Sequence, residues 1–320
     1  MSPLNNQVSL FGSSISLYAL LAALLCLCAA AALPFIFRRH TLPAGRGVIY
    51  AVSAALLGLL LGRAVYCAVR TDLFMDPFGD SLGLAPAFDL SRGSISVIGV
   101  LAGVLLASLP ASLRSGSPAS RLLDAAVIPG LLLFAAMRFI EPLSGEGYGP
   151  LTELPFLCFT PLGIQNGWGG WSFSVCFLES VLALITAAFM LRPKWNRTGS
   201  RVLCALVLLA ACQIVPESLR RDNALFIFIF ARVTQVGYAV ILFACGAIAW
   251  HRGAVRGLSG KVIAAEAAAV LSGIVLLIGC EYALDKTDWS PVLIYAVMIL
   301  ILALLAFLLI RRIRTEDRAA

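Results

Sequence analysis

Long apolar runs alternate with short polar connections along the whole chain, and the runs have the length of membrane spans. A hydrocarbon core about 30 Å thick is crossed by about 20 helical residues. Runs near that length extend from Ser14 to Phe37, Gly47 to Val69, Ser94 to Leu113, Leu122 to Ile140, Trp171 to Leu191, Val202 to Val215, Asn223 to Trp250, Val262 to Cys280 and Pro291 to Ile310. The sixth is the shortest and needs its flanks to cross. This pattern predicts an all-α polytopic membrane protein of about nine transmembrane helices. Met1 to Ser13 carries no Lys or Arg, and the first run is longer than a signal-peptide core, so it is expected to stay as a spanning helix.

The basic residues of the connections give a second, independent reading, because Lys and Arg concentrate on the cytoplasmic side. Arg38, Arg39 and Arg46, then Arg114 and Arg121, then Arg192, Lys194, Arg197 and Arg201, then His251 to Lys261, and finally Arg311 to Arg318 mark alternate connections as inside. The intervening ones are acidic or mixed: Asp72, Asp76, Asp80 and Asp89, then Glu141, Glu146 and Glu153, then Glu281, Asp285 and Asp288. A missed or invented helix would spoil the alternation, so it supports the short sixth span. The expected topology has the N-terminus outside and the C-terminus in the cytoplasm.

Composition agrees: 60% of the 320 residues are hydrophobic and 13% charged, against about 45–50% and 25% in a soluble domain. The net charge of +7 sits in the loop clusters and reads as topology, not as a nucleic-acid surface. Of the nine cysteines, all but Cys158 lie in apolar runs without a Cys-x-x-Cys spacing, so neither a disulfide framework nor a zinc site follows. No metal or cofactor is expected.

Ionisable groups in or beside the spans carry the candidate chemistry, because they are costly in lipid and face protein or a wet cavity. Arg63, Arg138, Glu179, Arg232 and Glu266 qualify. Arg63, near the outer end of the second run, is compatible with snorkelling to the interface as well as with a site. Arg138, in the last turn of the fourth, is compatible with a self-neutralising interfacial pair with Glu141 or Glu146. Arg232 and Gln235 are expected near the middle of the seventh run. There Arg232 either pairs with Glu179 or a backbone carbonyl, or meets an anionic ligand such as a phospholipid headgroup through its planar fork of donors.

At this point the motifs resemble the bacterial prolipoprotein diacylglyceryl transferases. The family signature Arg-x-Gly-Asn-Phe-x-Asn-Gly-Glu, followed by an aromatic and a Gly, is matched by Arg138 to Gly149, with Arg138, Gly145, Glu146, Tyr148 and Gly149 in place and Glu141 where the family has Asn. Gly62-Arg63-Ala64-Val65-Tyr66 resembles Gly-Arg-x-x-Tyr, and Phe177-Leu178-Glu179 resembles Leu-Tyr-Glu. Glu217 with Arg220 resembles Val-Glu-x-x-Arg, and Arg232-Val233-Thr234-Gln235 resembles an Arg-x-x-Gln of some members. The order and spacing are those of the family across about residues 10 to 250. Val97-Ile98-Gly99 stands where the family has His-Gly-Gly or Tyr-Gly-Gly, and Gln213 stands where it has an Arg.

The resemblance implies a seven-helix core over residues 1–250, with residues 251–320 adding two helices and a basic cytoplasmic tail. It implies a protein of the bacterial cytoplasmic (inner) membrane that moves a diacylglyceryl group from phosphatidylglycerol to the lipobox cysteine thiol of preprolipoproteins. Arg138, Glu146 and Glu141 are the implied catalytic groups. Arg63, Arg138, Arg232 and Gln235 would bind the phospholipid, with Arg92, Glu179, Glu217 and Arg220 as secondary candidates. Two alternatives stay open: a non-catalytic relative that binds phospholipid or lipoprotein precursors, and a membrane transporter. No internal repeat of the kind common in transporters is visible.

Overall fold

The structure is a computed structural model that describes residues 7–10, 13–74, 85–88, 94–113, 117–165, 169–222, 225–227 and 231–319. Among the described residues, eleven α-helices follow two short N-terminal strands, β1 (Gln7–Leu10) and β2 (Ser13–Ser16), which pair antiparallel. They are α1 (Leu17–Arg39), α2 (Ala44–Val69), α3 (Ala85–Phe88), α4 (Val97–Leu106), α5 (Ser108–Leu113), α6 (Ala119–Ile140), α7 (Val175–Leu191), α8 (Ser200–Leu219), α9 (Val233–Val255), α10 (Gly260–Lys286) and α11 (Pro291–Arg318). Between α6 and α7 lie strands β3 (Tyr148–Thr152), β4 (Gly163–Gln165) and β5 (Trp171–Ser174), forming an antiparallel sheet in the order β3-β5-β4.

Among the described residues, seven helices are long and apolar enough to cross a membrane: α1, α2, α6 with the turn after it, α8, α9, α10 and α11. Two shorter apolar segments, α4 with α5 and α7, fall where the third and fifth runs were expected. Large apolar side chains such as Leu27, Leu56, Ile185, Val275 and Phe307 stay exposed along these helices. That is the surface a bilayer covers, and the chain is a polytopic α-helical membrane protein.

Four spans differ from the apolar pattern. Ser14 to Ser16 belongs to β2, and Trp171 to Ser174 to β5, so α1 and α7 start later than expected. The sixth span is longer, because Ser200, Glu217 and Ser218 extend α8 to 20 residues despite their polarity. The seventh is broken. Leu225 accepts from the Val233 amide and Ala231 from the Ile227 amide, so the chain turns back on itself and α9 begins only at Val233. Arg232 therefore sits at the helix start, not at mid-span, with its guanidinium over the Phe226 ring.

The molecule divides into two compact units. The second comprises residues 30–126 and 225–237. Its core includes Phe37, Leu42, Tyr50, Ala107, Ala111 and Leu122, and α2 and α4 meet in it through glycines. Gly58 and Gly62 on α2, and Gly99 and Gly103 on α4, have the small-xxx-small spacing that lets membrane helices approach closely. A Cβ at Gly99 would lie 2.3 Å from the Leu61 carbonyl oxygen, and one at Gly103 2.4 Å from that of Leu57.

The first unit comprises residues 1–29, 127–224 and 238–320. In it α8 is the most buried of the seven long helices and packs against α7 and α11. The Asp317 carboxylate near the end of α11 accepts from the Asn196 and Arg197 amides at 3.1 and 2.9 Å, fixing the turn that leads into α8. Glu266 of α10, an isolated charge in the sequence, is held by Arg312 of α11 and accepts from the Trp250 indole at 2.9 Å.

Candidate functional site

The first unit buries a cluster of opposite charges built from three helix ends. Arg138 lies in the last turn of α6 and Arg220 caps the C-terminus of α8. Cations are favoured at both places by the helix dipole. Glu179 lies on the second turn of α7. Gln213 and Glu217 are one turn apart and Arg220 follows at i+3, so one stripe of α8 carries all three.

Three carboxylates surround Arg138. Its Nη1 pairs with Glu141 at 2.9 Å, its Nε with Glu179 at 3.0 Å and its Nη2 with Glu217 at 3.1 Å. Arg220 pairs with Glu141 and Asp222, and its Nη1 with Glu179 at 3.2 Å. The two guanidiniums are thus bridged twice, by Glu179 and by Glu141. Formally, two cations face four carboxylates, Glu141, Glu179, Glu217 and Asp222. Burying a charge is tolerable only when its partners replace water, and the multiple pairing of both arginines meets that condition. Tyr238, fully buried on α9, and Tyr18, half-buried on α1, lie within electrostatic reach of Arg138.

The connection after α6 is tied to the same cluster. The Gly147 amide donates to Asp222 at 2.8 Å, the Arg221 amide to the Tyr148 carbonyl at 2.9 Å and the Cys176 amide to the Gly147 carbonyl at 3.1 Å. Gly147 has φ +85°, and a Cβ there would lie 2.7 Å from that of Cys176, so glycine is needed on both counts. Burial, then the negative charges of Glu146 and Asp222, push the Tyr148 phenol above its ordinary range.

The structure thus brings together Arg138, Glu141, Glu179, Glu217 and Arg220. Glu146 is half-buried beside Tyr148. Arg63, Arg232 and Gln235 belong to the other unit, and Arg92 lies outside the described residues. Arg63 is buried and does not snorkel: its Nε donates to the Ala87 carbonyl at 2.9 Å and its Nη1 to that of Ser94 at 3.1 Å, fastening the approach to α4. The Gln235 Oε1 accepts from the Arg232 amide at 3.1 Å. That is half of a capping box, with Arg232 as the N-cap of α9 and Gln235 three residues on. Gln213 is fully buried and donates to the Glu179 carbonyl at 3.2 Å; Val97 opens α4 in the other unit.

Sequence reasoning missed Asp222 and Tyr238. A signal existed for Asp222, an acid two residues beyond a motif arginine at the end of a span. Tyr238 has only a polar tip inside an apolar run, which periodicity does not distinguish from packing.

Fold and cluster together define a class: polytopic helical membrane proteins with a buried, ion-paired polar centre. The chain matches the prolipoprotein diacylglyceryl transferase family over residues 6–252 and belongs to that family. No individually curated protein matches it significantly. The family is one of membrane transferases of lipoprotein biosynthesis. The match ends within α9, so α10 and α11 lie beyond it.

Proposed function

We propose that this protein transfers the diacylglyceryl group of phosphatidylglycerol to the lipobox cysteine thiol of preprolipoproteins, in the bacterial cytoplasmic membrane. The observation that carries the reading is the pair of buried guanidiniums, Arg138 and Arg220, held side by side by shared carboxylates. In this reaction the thiol sulfur attacks the glyceryl carbon, the carbon–oxygen bond to phosphate breaks, and glycerol phosphate leaves. Arginine forks fixed at a desolvated site stabilise the charge that grows on the leaving phosphate. The thiol proton passes to a carboxylate of the segment after α6, Glu141 or Glu146. Phospholipid binding by Arg63, Arg232 and Gln235 is part of the same proposal, and Arg232→Ala, which spares the capping amide, should raise the KM for the lipid.

A second reading, a non-catalytic relative that binds phospholipid or lipoprotein precursors, is favoured by Val97 and Gln213. A missing proton-transfer group is typically worth about 10²–10⁴-fold in rate, and a buried amide engaged with a carbonyl does not replace a guanidinium. One experiment separates the two. Purified protein in detergent, given phosphatidylglycerol and a lipobox peptide, is expected to yield peptide carrying the diacylglyceryl mass on cysteine, with a higher yield for Val97→His combined with Gln213→Arg. Lipid binding without product from either protein would establish the second reading.

The reading also requires the segment after α6 to face the exterior. Reporters fused after Arg39, Arg114, Arg197, Arg256 and the C-terminus are expected to report cytoplasm, and those after Asp80, Tyr148 and Asp285 the exterior. A cytoplasmic signal at Tyr148 would place the cluster on the wrong face for a translocated substrate.

A further inference from the structure

Glu141 occupies the space between the two arginines in the way a bound anion would. Its Oε1 accepts from Arg138 Nη1 at 3.1 Å and from Arg220 Nη2; its Oε2 accepts from Arg138 Nη1 at 2.9 Å and from Arg220 Nη1 at 3.4 Å. Both oxygens of one carboxylate therefore bridge two guanidiniums, as two oxygens of a phosphodiester do in a paired arginine site. We propose that Glu141 is a built-in occupant of a phosphate site formed by Arg138 and Arg220, and that a phospholipid headgroup enters by displacing it. The identity of the lipid rests on the transferase reading; the displaced anion does not.

Three observations single out Glu141 among the four carboxylates. Its side chain is 13% exposed, against 0% for Glu179, 4% for Glu217 and 3% for Asp222, so it alone can be reached without dismantling the cluster. It stands on the single 3-10 turn Glu141–Ser144, whereas Glu179 and Glu217 are fixed on long helices. Asp222 is held by a further bond from the Gly147 amide. Glu141 is thus the carboxylate with the shallowest burial and the shortest element to move.

Charge balance makes the exchange selective. With four carboxylates facing two guanidiniums, a phosphate added to the cluster meets net negative charge and is repelled. Exchanging the Glu141 carboxylate for a monoanionic phosphodiester leaves the balance as it was. The residue therefore sets which anions enter: one that cannot turn Glu141 out is refused.

The test is titration calorimetry on the full chain in detergent, with short-chain phosphatidylglycerol in one arm and inorganic phosphate in the other. Glu141→Gln keeps the volume and removes the charge, and it should bind the lipid at least about tenfold more tightly than the native protein, a difference of about 1.4 kcal/mol. Glu153→Gln, on an exposed residue outside the cluster, should leave affinity unchanged. A gain in both arms assigns the site to the phosphate group, and a gain with lipid alone assigns it to the intact headgroup with its chains. A gain with inorganic phosphate alone overturns the headgroup assignment, and no gain in either arm overturns the proposal. Should Glu141→Gln fail to fold, Glu141→Ala, which removes the carboxylate altogether, reads the same effect. Transfer is assayed separately: tighter binding without product leaves the phosphate site standing and removes the transferase reading, whereas product from the native protein without any gain in the variants does the reverse.

Discussion

Replacing Arg138 by alanine is expected to abolish transfer and to destabilise the protein by about 3–5 kcal/mol, the usual cost of leaving one side of a buried ion pair uncompensated. An interfacial arginine would cost at most about 1 kcal/mol, and the position of Arg138 in the last turn of a span invites that expectation. Its burial overturns it. Only 6% of the residue is exposed, and three carboxylates, Glu141, Glu179 and Glu217, converge on its nitrogens. Without it, Arg220 alone remains between Glu141, Glu179 and Asp222. Arg138→Lys keeps the charge but not the fork and should fall between the two. Thermal unfolding in detergent and the peptide transfer assay read the two effects separately. Native-like stability in Arg138→Ala would show that the cluster does not hold the bundle together, and surviving product would remove Arg138 from the chemistry.

The second large effect belongs to the glycine contact between α2 and α4. Gly103→Leu is expected to cost about 3 kcal/mol or more, at or beyond the upper end of ordinary overpacking. The obstacle there is backbone: a Cβ at Gly103 would lie 2.4 Å from the Leu57 carbonyl and 2.5 Å from the Gly58 nitrogen. A flexible side chain can swing away from such a clash, but a helix backbone yields only if the two helices separate. Gly130 of α6 has nothing within 4 Å of its notional Cβ. Gly130→Ala should therefore be neutral or stabilising by about 0.5–1 kcal/mol and serves as the control. If Gly103→Leu unfolds at the native temperature, α2 and α4 are not in fixed contact.

The sequence by itself determined the class of molecule and the rough course of its spans, because a helix that must satisfy its backbone in lipid leaves an uninterrupted apolar run of nearly fixed length. It also determined the family, since Arg138, Glu146, Glu179, Glu217 and Arg220 keep their order and spacing along the chain. Tertiary structure decided where two of those runs begin and where a third breaks. Trp171 to Ser174 is apolar enough for helix yet pairs with β3 and β4, and the apolar Leu225 to Ile227 bonds back to Ala231 and Val233. Hydrophobicity does not tell a lipid-facing helix from a strand or turn covered by protein. The N-terminus of α9 was not legible, because Arg232 lacks the short polar side chain of a usual N-cap; the bond from its amide to Gln235 shows only in the structure.

The same holds for the charges. The sequence showed five isolated ionisable groups in its spans, and only the fold gave three of them their distant partners: Arg138 with Glu217, 79 residues away, Glu179 with Arg220, 41 away, and Glu266 with Arg312, 46 away. Local spacing foretold only the i, i+3 contact of Arg138 with Glu141. Charge neutralisation in a low-dielectric interior is a property of distances in space, and distances across tens of residues are set by how helices pack. Apolar periodicity records which face a helix buries; it does not record which partner it meets.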